Sequence, residues 1–89
     1  MESRVALIAI IVEAPEKAVE VNEILHEYGD FIIGRMGIPY RQKGVNIISI
    51  AIDAPQEIIS ALSGKIGKIE NVNVKTAFSN IITKDEDWL

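Results

Sequence analysis

From Arg4 to Val12 the chain reads Arg-Val-Ala-Leu-Ile-Ala-Ile-Ile-Val, and from Val45 to Ile52 it holds only two polar residues, Asn46 and Ser49. A strand with one wet face alternates apolar and polar positions, whereas a strand covered on both faces reads as a nearly unbroken apolar run. The two stretches therefore predict strands over about Arg4–Val12 and Gly44–Ala54, each covered on two sides.

A different period separates them. After Glu13-Ala14-Pro15-Glu16, the positions Ala18, Val21, Ile24, Leu25 and Tyr28 fall on one stripe at helical spacing. Pro15 suits the first turn of a helix, where its missing N–H is not needed, and the early acids Glu13, Glu16 and Glu20 suit the positive end of the helix dipole. Gly29 is expected to end this helix in a left-handed conformation. A strand is expected from Asp30, with Arg35 between Gly34 and Gly37 and with Pro39 closing it, a composition that belongs at a sheet edge. Tyr40 to Gly44 then turns the chain into the second apolar strand, giving a hairpin.

The segment Asp53-Ala54-Pro55-Gln56-Glu57 repeats the Ala-Pro start, and Ile58, Ile59, Leu62 and Ile66 mark a second helix stopping near Gly67. Val72 to Ile82 is the fourth strand, fraying past Phe78. Residues 83–89 form an acidic tail, loose or docked through Trp88, and residues 1–82 form one domain.

The order β-α-β-β-α-β is the ferredoxin-like pattern of the α+β class. Right-handed crossovers give a four-stranded antiparallel sheet of order 4-1-3-2 with two helices on one face. The two central strands of that topology are the two that read as apolar on both sides. Ile8, Ile10, Val12, Ile48, Ile50 and Ile52 form one set, and Leu7, Ala9, Ile11, Ile47, Ser49 and Ala51 the other. Ser49 and the smaller residues place the second set away from the helices. At about 1.5–3 kcal/mol per buried large side chain, leaving it wet forfeits several kcal/mol, comparable to the stability of a small domain. A homo-oligomer, dimer or tetramer, is the expected way to cover it.

Composition narrows the function. The 89 residues are 48% hydrophobic and 25% charged, as in a globular domain. No cysteine is present, which excludes disulfides and thiolate chemistry. The net charge of −4 argues against non-specific nucleic-acid binding. No apolar run approaches the roughly 20 residues of a membrane span, and no signal peptide opens the chain, so a cytoplasmic location is expected. RNA-binding versions of this topology stack bases on strand aromatics; the first and third strands carry none. An acylphosphatase-like loop after the first strand would need an arginine where Glu13 stands. No enzymatic activity, cofactor or metal is expected.

Arg35, with Met36, Pro39, Tyr40 and Arg41, is the foremost candidate site, because an arginine can receive a carboxylate or phosphate in bidentate fashion and the flanking Gly34 and Gly37 let a ligand or another backbone come close. The plainer alternative is an ion pair across a subunit interface. His26, beside Glu23 and Glu27, reads as a solvated helix residue.

Two segments carry a further signature. Ile33-Gly34-Arg35-Met36-Gly37-Ile38-Pro39-Tyr40 and Leu62-Ser63-Gly64-Lys65-Ile66-Gly67-Lys68-Ile69-Glu70, continued by Val72 to Ala77, resemble the family of iron-only hydrogenase system regulators. That family is similar to ACT domains and to the C-terminal domain of the nickel-responsive regulator. The resemblance implies an ACT-like, oligomeric regulatory domain that senses a small ligand at subunit interfaces; the alternative is an assembly module docking on a regulatory protein partner. It also implies that the loop bearing Glu13 and Ala14 faces a ligand, as the equivalent ACT loop does, although ordinary helix capping explains these residues too. A nickel site of histidines and a cysteine cannot be built with His26 as the single histidine.

Overall fold

The computed structural model describes residues 2–83. Its elements are β1 (Ser3–Val12), α1 (Ala18–Glu27), β2 (Ile32–Tyr40), β3 (Val45–Ala54), α2 (Gln56–Gly67) and β4 (Val72–Thr83). The strands form one antiparallel sheet of order β2-β3-β1-β4, the order read from the sequence taken from its other edge.

Ile8 lies opposite Ile50 on one side and Thr76 on the other. Strand alternation then points Ala6, Ile8, Ile10 and Val12 of β1, and Ile48, Ile50 and Ile52 of β3, toward the helices, where all are buried. Val21 and Leu25 of α1 and Ile59, Leu62 and Ile66 of α2 close the core from above at helical spacing. Ser63 and Thr76 share a hydroxyl hydrogen bond of 2.8 Å between α2 and β4. Lys65 of α2 stands 5.0 Å over the Tyr28 ring and 3.6 Å from Glu27, tying the helices at their solvent edge. Its hydrogen bond to Tyr28, with the charges of Tyr28 and Glu27, raises the ammonium pKa above its ordinary value.

Several local expectations are corrected. Pro15 opens a short 3-10 turn, Pro15–Lys17, and α1 begins only at Ala18. Gly29 does not become left-handed; a further 3-10 turn, Gly29–Phe31, carries the chain on, so β2 starts at Ile32 instead of Asp30. Pro39 does not close β2, because an edge strand tolerates its missing N–H, and pairing continues to Tyr40. The pairing of β4 with β1 is interrupted past Phe78, where it shifts register between Ala6 and Arg4, and it then resumes to Thr83, one residue into the expected tail. The remainder of that tail, Trp88 included, lies outside the described residues. Left-handed backbone falls instead at Gly44 and Asn71, both at φ 66°, where the chain turns into β3 and β4.

Candidate functional site

The site starts from period two in β2. Arg35, Gly37 and Pro39 share the helix side of the strand, since they pair with Ile50, Ile48 and Asn46 of β3. None of the three fills the space beneath α1: arginine reaches outward, glycine has no side chain and proline is compact. A cleft of about 240 Å³ remains between α1 and the β2 edge. Ala18 and Asn22 form its helix wall, and Gly37, Pro39 and Ile48 its floor. Arg35 is the one charged residue of the lining, and it donates from Nη2 to Asn22 Oδ1 at 2.6 Å. That bond holds the guanidinium at the mouth with donors to spare. Asn46, half-buried, adds a side-chain amide at the other end. Cation and amides over an apolar floor suit a small molecule bearing a carboxylate or phosphate.

The structure gathers only part of the sequence-predicted site here. Arg35 and Pro39 line the cleft, with Gly37 between them. Met36 pairs with Ser49 and faces the opposite side of the sheet. The Tyr40 hydroxyl donates to Gln42 Oε1 at 2.7 Å, and Arg41 sits in the exposed 3-10 turn beyond it, Arg41–Lys43. Glu13 and Ala14 lie outside the lining; the Glu13 carboxylate accepts from Asn73 Nδ2 of β4, and its N–H bonds Asn71 O at 2.8 Å. Asn22 and Asn46 were not singled out with Arg35, Pro39 and Gly37. Register with β3, which sets Asn46 opposite Pro39, was the signal that could have found Asn46; no pattern along the chain pointed to Asn22 on α1.

A second cleft, about 300 Å³, lies at the far end of the sheet, where Arg4 faces the start of α2. Glu2 and Glu57 also line it, and these acids offset the attraction of the helix N-terminus for an anion. Among the described residues no three histidine, aspartate or glutamate side chains come together to hold a metal. No helix among the described residues is long and apolar enough to cross a membrane.

The helix-free side of the sheet carries the other predicted set. Leu7, Ala9 and Ile11 of β1 and Ile47, Ser49 and Ala51 of β3 occupy it, joined by Met36, Ile38 and Tyr40 of β2. Leu7 is 49% exposed, Met36 49% and Ile38 45%, values that belong to no packed core.

A family model described as "TM1266-like: Iron-only hydrogenase system regulator, putative" matches residues 4–76. Among solved structures, the uncharacterized protein TM1266 from Thermotoga maritima is 40% identical, with a TM-score of 0.81, over 85% of this chain and 96% of that one. A formyltetrahydrofolate deformylase from Pseudomonas putida KT2440 is 13% identical, with a TM-score of 0.64, over 86% of this chain but 29% of its own length. At that identity the likeness is one of fold. No curated protein sequence matches the chain.

Proposed function

The chain belongs to the TM1266-like family of iron-only hydrogenase system regulators, and from that premise we propose that it is a non-enzymatic regulatory domain whose signal is a small anionic ligand held between α1 and β2. The observation that carries this reading is the Arg35 guanidinium, bonded to Asn22 at the mouth of a cleft with an apolar floor. A carboxylate or phosphate there would take paired donors from Arg35, while Ile48 and Pro39 would pack its apolar part. The cleft opens at the free edge of β2, so its occupancy would be felt by whatever adjoins that edge. No pair of groups placed for acid–base or nucleophilic work lines the cleft, which favours sensing over turnover.

A second reading has its own support. The apolar helix-free face suits an assembly module, docked without any small molecule. Thermal-shift and calorimetric titration with amino acids, dicarboxylates, nucleotides and inorganic phosphate separates the two. A bound anion at 100 times its Kd is expected to stabilise the fold by about 2.7 kcal/mol. Arg35→Ala removes a charge-assisted contact of about 1.5–3 kcal/mol, and so is expected to weaken binding roughly 10- to 100-fold. A flat response of the unmodified chain across the panel would overturn the sensing reading and leave the assembly one.

A further inference from the structure

We infer that the helix-free face of the sheet is buried against the same face of a second copy of this chain, sheet on sheet. The inference is independent of the ligand cleft, which lies on the other side of β2.

Three observations select a second copy as the occupant. The first is size. Four strands at about 4.8 Å spacing and about nine residues at roughly 3.3 Å each give a face on the order of 600 Å² in projection. A standard interface buries about 800 Å² per partner, so this face supplies most of one side of a stable dimer.

The second is charge. The chain carries a net charge of −4, and two copies would repel through most of their surfaces. On this face the strand positions carry Asp53 in β3, opposite Val5, and Lys75 in β4, opposite Ala9. One acid and one base leave the patch near neutral, so two such faces can meet without the repulsion that acidic α1 would bring.

The third is relief. Ala9, Ser49 and Ala51, small residues, sit across the middle of β1 and β3, with Leu7, Ile11 and Ile47 around them. A low centre framed by larger apolar side chains lets two twisted sheets approach to the usual separation of about 10 Å while the frame interdigitates. The hydroxyl of Ser49 at the centre remains the one polar group that such packing must accommodate.

Sedimentation equilibrium on the full chain at micromolar concentration tests this. The expected mass is twice that of one chain, or an even multiple. Leu7→Asp is expected to abolish the dimer with an unchanged circular dichroism spectrum, because Leu7 is half exposed and outside the core. Arg35→Ala, in the cleft, is the control and is expected to keep the dimer. Should Leu7→Asp lose its fold, Ser49→Cys supplies the chain's single thiol. That thiol is then expected to be protected from maleimide in the native chain and to react on denaturation, while a His26→Cys control on α1 reacts in the native chain. A monomeric unmodified chain overturns the inference, whether or not it captures another protein. So does a dimer that survives Leu7→Asp, or a native Ser49→Cys chain that maleimide labels as fast as His26→Cys.

Discussion

At the floor of the α1–β2 cleft Gly37 presents bare backbone, and a Cβ built there meets no atom within 4 Å. A side chain starting there enters open cleft space without a clash at its first carbon. Gly37→Leu is therefore expected to fold as well as the parent, since strand interiors favour side chains over glycine, and to lose the anion response that Arg35 confers. Parallel thermal melts and titrations check both halves. Arg35 was legible as a candidate because it is an isolated arginine on a glycine-flanked strand. Pro39 and Gly37 were legible with it, but the rest of the lining was not. Met36 is adjacent in sequence, yet alternation sends it to the far side of the sheet, where it pairs with Ser49. Asn22 comes from α1 and Asn46 from β3, and only the folded chain brings both to the cleft that Arg35 lines.

Among the elements, β1 and β3 were the most legible, because unbroken apolar runs leave little choice of period. The face assignment followed from Ser49 and the small residues beside it, and the structure has the larger set buried. β2 was the least legible. It is an edge strand with one half-buried residue, Ile32, at its start and exposed positions from Ile33 to Tyr40, so little hydrophobic pattern marks its bounds. A register shift between Ile32 and Gly34 displaces its pairing at that end, and no sequence signal announced it. The β2–β3 connection is better determined. Gly44 follows the 3-10 turn at φ 66°, ψ 31°, a left-handed state that costs a residue with a Cβ about 1–2 kcal/mol. Gly44→Ala is expected to lower the melting temperature by roughly 4–8 °C per kcal/mol lost. Because space around Gly44 is open, the loss is one of backbone conformation alone. Differential scanning calorimetry reads it directly.

Across the whole molecule, one side of the sheet is finished and the other is not. The helix side holds a core in which Ile8, Ile10, Ile50 and Ile52 are fully enclosed, and no side-chain polar atom among the described residues is buried without a partner. Ile50, between β1 and β2 neighbours and under the helices, is expected to cost about 2–5 kcal/mol when cut to alanine. That is a large share of the stability of a small domain, and urea denaturation is the measurement. The fold class and strand order were legible in the chain because they rest on periodicity and on which strands are greasy; the family likeness was legible from the two motif segments alone, residues 33–40 and 62–77. The cleft was not, since it is a gap left by what β2 lacks.

The register joining Ser3 to Thr83 has a consequence for how the domain comes into being. β1 sits in the middle of the sheet, yet both strands that flank it are made after it, and β4 follows by some sixty residues of synthesis. At about 5–20 residues per second the ribosome keeps that first strand waiting for seconds before its last neighbour emerges. Throughout that interval the nascent chain exposes an isoleucine-rich ribbon with an open hydrogen-bonding flank, so chaperone capture and premature pairing with another nascent chain are expected to compete with folding.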